Sequence, residues 1–212
     1  MKSQTVGGKK MIKNIVFDIG RVLLDYQPVK FLQDIGLEIE EGRYLNEIIF
    51  KNDIWLQLDR GMITLDEAIE GYNVLAPLHR ERISQIMQTW PQMLTLIDGT
   101  SELLSKLIAK GYYVYLLSNF QEDGFKQIYD KYSFVKEAHG SVISYEAKLL
   151  KPEKEIYLHL LEKYRLVPEE TVFIDDMKEN VEAATTLGIQ GIVFESAQKT
   201  KEVLGTMGIE GL

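Results

Sequence analysis

The stretch "NIVFDIGRVLLDY", Asn14 to Tyr26, runs the apolar residues Ile15, Val16 and Phe17 straight into a carboxylate at Asp18. Asn14 to Phe17 suit a buried strand. Gly20 follows two places after the aspartate, and a second apolar run, Val22 to Leu24, closes the segment. In a parallel sheet, functional groups gather at the carboxyl ends of the strands. An aspartate delivered there, with a glycine beside it, marks the first piece of a site.

Three more apolar runs share this character: "YYVYLLSN" at Tyr112–Asn119, "TVFIDD" at Thr171–Asp176 and "GIVFE" at Gly191–Glu195. None shows the polar alternation of a half-exposed sheet, so each reads as a strand covered on both faces. Helical patterns lie between them. "TSELLSKLIAKG" has Thr100 or Ser101 as its expected N-cap and Gly111 as its terminator, and "KENVEAATTLG" repeats the design with Gly188. Strand, helix and strand in alternation predict right-handed crossovers and an α/β, doubly wound parallel sheet. Residues 28–93 break the pattern. They hold no convincing strand, yet "VKFLQDIG", "EEGRYLNEIIF", "DIWLQLD", "TLDEAIEGYNVL" and "RERISQIMQTW" all show helical periodicity. The expectation is an inserted α-helical bundle at 28–93, with 1–27 and 94–212 forming the sheet domain.

The composition narrows the partners. The 212 residues are 45% hydrophobic, enough for a sizeable core. They carry 24 Lys and Arg against 32 Asp and Glu, a net charge of -8, which argues against nucleic acid or an anionic membrane as the main partner. The absence of cysteine excludes disulfides, thiolate catalysis and cysteine-held metals. "MKSQTVGGKK" has no apolar core of signal-peptide length, and no run of about 18 apolar residues occurs. The expectation is a cytoplasmic monomer or homodimer.

Side by side, the best strands would present Asp18, then Ser118 with Asn119, then Asp175 with Asp176. "LLKPEKEIY" adds Lys151 before Pro152, a residue pair biased towards an extended lysine and a helix first turn. Each piece alone has a plain structural reading as a turn, a cap or a surface charge. Their joint occurrence, in this order and at strand ends, does not.

Together these residues resemble the haloacid dehalogenase superfamily of hydrolases over nearly the whole chain. The first motif is similar to "FDIGRVLL", the second to "LLSN", the third to Lys151 of "LLKPEKEIY" and the fourth to "FIDDMKEN". The inserted bundle is similar to that family's α-helical cap. The branch it resembles has an Asp-x-Gly first motif and includes phosphatases of hexose 1-phosphates. The resemblance implies a phosphatase of small phosphorylated metabolites. Asp18 would be the nucleophile, giving an aspartyl-phosphate that water hydrolyses. Ser118 and the amide of Asn119 would hold phosphate oxygens, and Lys151 would hold both Asp18 and phosphate. Mg²⁺ would be bound by Asp18, Asp176 and the Gly20 carbonyl, with Asp175 binding directly or through water. Asn180 reads either as a group orienting these carboxylates or as a surface residue.

Gly20 departs from the wider family pattern, in which a second aspartate acts as acid and base. Asp25 is read as a cap or hinge of the linker, and Arg21 as an ion-pair partner with phosphate contact as the alternative. In "WLQLDRGMITLDEA", Thr64 and Glu67 form an expected capping box after a Gly61 turn. Trp55 and Arg60 flank that turn, as substrate contacts or as bundle structure. Two other functions stay open. One is a phosphate-binding module without turnover; the other is a metal-free haloacid dehalogenase, against which the Asp175–Asp176 pair argues.

Overall fold

The computed structural model describes residues 5–6 and 9–212. The signal-free reading of residues 1–10 therefore falls partly outside the described residues. Strands β1 (Thr5–Val6) and β2 (Lys9–Lys10) form an antiparallel ladder ahead of β3 (Asn14–Phe17). A two-residue strand, β4 (Leu24–Asp25), then pairs antiparallel with β5 (Thr95–Leu96). Between these two strands lie five α-helices: α1 (Pro28–Asp34), α2 (Ile39–Phe50), α3 (Asp53–Asp59), α4 (Leu65–Leu75) and α5 (Arg80–Thr89). All five correspond to the helical patterns read from the sequence.

The chain then alternates: α6 (Thr100–Ala109), β6 (Tyr113–Ser118), α7 (Glu122–Lys131), α8 (Ser133–Glu137), β7 (Gly140–Ile143), α9 (Ser144–Ala147), α10 (Lys154–Tyr164), β8 (Thr171–Asp175), α11 (Lys178–Thr185), β9 (Gln190–Val193) and α12 (Ala197–Thr206). The central sheet has the order β7-β6-β3-β8-β9, with every neighbouring pair parallel. It is the doubly wound sheet expected. Phe17 is in register with Leu116 on one side and Ile174 on the other. Asp18, Ser118 and Asp175 therefore emerge at one edge. The chain leaves β3 for strands on one flank and returns to the other, so β3 is the switch point where such sheets leave a crevice.

The apolar strands owe their lack of alternation to cover on both faces. Val16, Tyr115, Leu117 and Phe173 pack with Ile156, Tyr157 and Leu160 of α10. Ile15, Phe17, Leu116 and Ile174 face the opposite layer, whose core continues through Leu45, Trp55, Tyr72, Ile83 and Trp90 of the helical segment. No helix among the described residues is long and apolar enough to cross a membrane.

Two local expectations need correction, and one strand has no counterpart in the sequence reading. Helix α6 is capped by neither Thr100 nor Ser101: Gly99, at φ +76°, is the N-cap, and the Thr100 hydroxyl donates back to the Ile97 carbonyl at 2.8 Å. Pro152 does not open a helix, because α10 begins at Lys154 after a cis Lys151–Pro152 peptide. Strand β7 lacks an apolar signature because its first two residues are Gly140 and Ser141. The Tyr164 ring covers Gly140, and its hydroxyl accepts from the Ser141 N–H at 2.8 Å.

The Thr64–Glu67 capping box forms, with the Glu67 N–H donating to Thr64 Oγ1 (3.2 Å) and the Thr64 N–H to Glu67 Oε2 (2.8 Å). Just before it, Gly61 at φ +67° lies so close to the sheet domain that a Cβ would stand 2.4 Å from the Tyr145 carbonyl oxygen. Its own carbonyl accepts from Lys148 Nζ. Gly61→Ala is therefore expected to cost about 1–3 kcal/mol, read as a lowered urea midpoint. A midpoint equal to that of the unmodified protein would show that this contact is not maintained in solution.

Candidate active site

Asp18 follows β3 directly, its N–H bound to the Ile174 carbonyl at 2.9 Å, so the sheet itself sets its position. Lys151 Nζ reaches in from the loop before α10 and lies 2.8 Å from Asp18 Oδ1 and 2.6 Å from Asp175 Oδ2. The lysine is buried. Desolvation disfavours its charge, but attraction from Asp18 and Asp175 outweighs this and its pKa rises. Burial pushes the Asp18 carboxyl up to about 7 against the pull of Lys151, with Asp175 adding to the rise. The Ser118 hydroxyl opposes that rise as a hydrogen-bond donor to Asp18.

The loop carrying Lys151 is held by Asn119. Its side-chain NH₂ donates to the Lys151 carbonyl (3.0 Å), and the Lys151 N–H donates to its Oδ1 (2.8 Å). That side chain is thus committed to the lysine loop.

The two acids after β8 differ sharply. Asp175 is fully buried and accepts from Lys151 Nζ, from the Met177 N–H (2.8 Å) and from Asn180 Nδ2 on both oxygens (3.0 and 3.2 Å). Asn180 is accordingly no surface residue. It is buried against Asp175, and its own carbonyl accepts from the Tyr157 hydroxyl at 2.9 Å. Asp176 keeps 19% of its side chain exposed, lines the cavity beside Asp18 and has Arg21 Nη1 at 3.8 Å. Burial raises its pKa, as does Asp175, while Arg21 and Lys151 oppose the rise.

One oxygen from each of Asp18, Asp175 and Asp176 falls within 4.8 Å of the others. Three carboxylates therefore share Lys151 as their buried cation. An all-oxygen cluster with excess negative charge is a donor set suited to a hard divalent ion such as Mg²⁺. Gly20 lines the same cavity, and the hydrogen bonds closing its turn, Arg21 N–H to Leu24 and Leu24 N–H to Ile19, do not use its carbonyl.

The cavity, about 280 Å³, lies between the strand ends and the helical segment. Five aromatic residues line it: Tyr26, Phe50, Trp55, Trp90 and Phe120. Trp55 meets Trp90 edge-on at 5.1 Å and is both helical core and cavity wall. Arg60 does not line the cavity. It pairs with Glu153, one contact being Nη1 to Oε2 at 2.9 Å, and ties α3 to the start of α10. Asp25 sits at the linker, accepting from the Tyr26 N–H at 2.9 Å, away from the cavity. Asp59 also lines the cavity, and only its spacing in "DIWLQLD" marks it in the sequence. It stands four residues after Trp55, so a helix that turns the tryptophan inward turns the aspartate inward as well.

A 28% identical relative, D-ribitol-5-phosphate phosphatase from Bacteroides thetaiotaomicron, aligns over 92% of this chain and 97% of its own. The sesquiterpene phosphatase astK of Aspergillus oryzae is 27% identical over 85% of this chain and 88% of its own. A crystal structure of a haloacid dehalogenase family enzyme from Bacteroides thetaiotaomicron, in complex with magnesium and inorganic phosphate, superposes with a TM-score of 0.71. It is 29% identical, covering 87% of this chain and 95% of that one. The model of the haloacid dehalogenase-like hydrolases matches residues 12–188, and the chain belongs to that family.

Proposed function

We propose that this protein is a magnesium-dependent phosphatase of small phosphate monoesters, with helices α1–α5 (residues 28–93) acting as a cap over the strand ends. The observation that carries this reading is the buried cluster in which Lys151 bridges Asp18 and Asp175 while Asp176 faces the cavity. A dianionic phosphate needs positive charge and hydrogen-bond donors, and its attacker must be held in line. Lys151 both orients Asp18 and faces the incoming phosphate. Ser118 Oγ–H and the Asn119 backbone N–H would donate to phosphate oxygens, since the Asn119 side chain is already used. Asp18, Asp176 and the Gly20 carbonyl would hold Mg²⁺, which would supply charge neutralisation between carboxylates and phosphate. Asp175 would act mainly by fixing Lys151, with Asn180 fixing Asp175.

In the first step Asp18 forms a bond to phosphorus as the bond to the leaving alcohol oxygen breaks. In the second, water attacks the aspartyl-phosphate, releasing phosphate and restoring Asp18. A dehalogenase would have no use for two further acids beside its nucleophile, since burying them without a cation is costly. A screen of phosphate esters with and without Mg²⁺, following halide release from haloacids in parallel, tests the reading. Mg²⁺-dependent phosphate release without halide release is expected; metal-free halide release would overturn it.

The two relatives are named for quite different alcohols, a pentitol phosphate and a sesquiterpene, so they support the ester class and single out no alcohol. The leaving group can be argued from Gly20. With no acid there, departure depends on the alcohol's own acidity. A hexose 1-phosphate, whose anomeric hydroxyl is the more acidic, should exceed the matching 6-phosphate, and aryl phosphates should exceed alkyl ones. Gly20 itself is not required by the backbone. Its φ lies outside the left-handed region, the positive φ falling on Arg21 (57°), and a Cβ at Gly20 would meet nothing within 4 Å. Gly20→Asp is therefore expected to raise turnover of alkyl phosphates by roughly 10- to 100-fold, towards what a positioned acid supplies. A rate indifferent to leaving-group acidity would mean that another residue provides the proton.

A further inference from the structure

The helical segment and its hinges contribute Tyr26, Phe50, Trp55, Trp90 and Leu94 to the cavity lining, and one carboxyl group among them. Asp59, the last residue of α3, is 8% exposed and lines the same cavity as Asp18, Ser118 and Lys151. No ion pair among the described residues includes it. Its carboxyl group receives a hydrogen bond from Trp55, one turn back on the helix, which leaves further hydrogen-bonding capacity. Burying a carboxyl with so little compensation is costly. Near it stand Trp55 and the phenols of Tyr26 and Tyr72, whose ionisation a carboxylate here opposes; the Tyr72 hydroxyl is spent on the Ile49 carbonyl at 3.1 Å.

The backbone of Asp59 is also tied to the phosphate end of the site. Its carbonyl accepts from Ser144 Oγ at 2.6 Å, and that same oxygen accepts from the Phe120 N–H at 2.8 Å, two residues beyond Ser118. The next residue, Arg60, is anchored to Glu153, two residues beyond Lys151. The carboxyl therefore stands at a set offset from the groups that would hold phosphate, across an apolar space. That is the usual construction of a selective small-molecule site, in which apolar walls supply contact and a few placed polar groups set orientation.

We propose that Asp59 is the specificity-determining residue of this cavity, hydrogen-bonding a hydroxyl of the alcohol half of the ester and so selecting polyhydroxylated phosphates over hydroxyl-free ones. The aromatic wall would hold the C–H faces of the same alcohol. This inference rests on the phosphatase reading above. The charge state suits the role: burial pushes the Asp59 carboxyl up to about 8, Trp55 opposing as a hydrogen-bond donor, so near neutral pH it holds a proton. A neutral carboxyl both donates and accepts, which matches a hydroxyl group.

The test measures kcat/KM of the full chain with Mg²⁺ on ribitol 5-phosphate, glucose 1-phosphate, butyl phosphate and phenyl phosphate, for the unmodified enzyme, Asp59→Leu and Asp59→Asn. In Asp59→Leu, the ratio for the better hydroxylated ester over butyl phosphate should fall roughly 10- to 100-fold, mostly through KM. Asp59→Asn, which keeps a donor and an acceptor, should recover most of it. Deoxy analogues of the better substrate give a readout independent of the folding of any variant. In the unmodified enzyme, removal of one hydroxyl should cost a similar factor, and that cost should vanish in Asp59→Leu. Equal losses on all four esters, or the absence of any deoxy effect, would overturn the proposal. A loss that follows leaving-group acidity instead of hydroxyl content would make Asp59 a proton donor and overturn it as well. If the unmodified enzyme releases phosphate from none of the esters, the phosphatase reading fails and takes this inference with it.

Discussion

Asp18→Asn is expected to lower phosphate release by at least about 10³-fold while leaving a folded protein, because an amide is neither a competent nucleophile nor a good ligand for a hard cation. The fold should survive because Lys151 keeps Asp175 at 2.6 Å, and the asparagine side-chain oxygen can still accept from the Ile19 N–H as Asp18 does at 2.7 Å. Stability should even shift in the variant's favour as pH rises. The Asp18 carboxyl is raised from 3.8 to about 7 in the folded chain, so the unfolded chain gives up that proton first. A group raised in this way contributes stability that is complete below about pH 4 and lost by about pH 7. Without added metal, the Tm of Asp18→Asn relative to the unmodified protein should therefore rise between pH 5 and pH 8, and Mg²⁺ should shrink that difference. Turnover surviving both the substitution and a chelator would remove Asp18 from the mechanism.

Asp176→Asn and Asp175→Asn are expected to fail in opposite ways. Asp176 faces the cavity with Arg21 as its distant ion-pair partner, so its loss should raise the Mg²⁺ concentration for half-maximal rate at least about tenfold, with little change in urea midpoint. Asp175 accepts from three donor groups, on Lys151, Met177 and Asn180. Its replacement swaps an accepting oxygen for an NH₂ group among donors and leaves Lys151 with Asp18 as its remaining anion. The expected loss approaches about 3 kcal/mol, the scale on which buried pairs fail when one partner goes. Magnesium titrations and urea unfolding of both variants separate the two roles. Equal magnesium shifts, or an unchanged urea midpoint for Asp175→Asn, would reverse this division.

Much of this was legible in the residues themselves. Ile15–Phe17, Tyr113–Ser118 and Thr171–Asp175 read as strands because a parallel sheet covered on both faces needs unbroken apolar runs, and such runs are local facts. The five helices of residues 28–93 were legible for the same reason, since a 3.6-residue period is written in sequence spacing. The position of Asp18, one residue past a strand end, followed from the strand.

The tertiary structure decided what depends on which surfaces meet. Strand β7 is a strand because β6 offers it an edge and Tyr164 covers Gly140; "GSVI" has too little apolar surface to announce itself. The division between Asp175 and Asp176 arises from the direction each side chain takes after β8, one into Lys151 and Asn180, the other into the cavity. Adjacent letters cannot express that. Gly20 reads in the sequence as a departure from the family's second aspartate, and only the structure shows that its conformation and its open surroundings would accept a side chain. Asp59 carries no mark in the sequence beyond its place at the end of "DIWLQLD"; it is a buried carboxyl lining the cavity because Ser144, itself bound by the Phe120 N–H, holds the end of α3 against the sheet domain. Local sequence sets periodicity and backbone preference, whereas burial and charge environment are properties of the packed assembly, and the chemistry of this cavity depends on them.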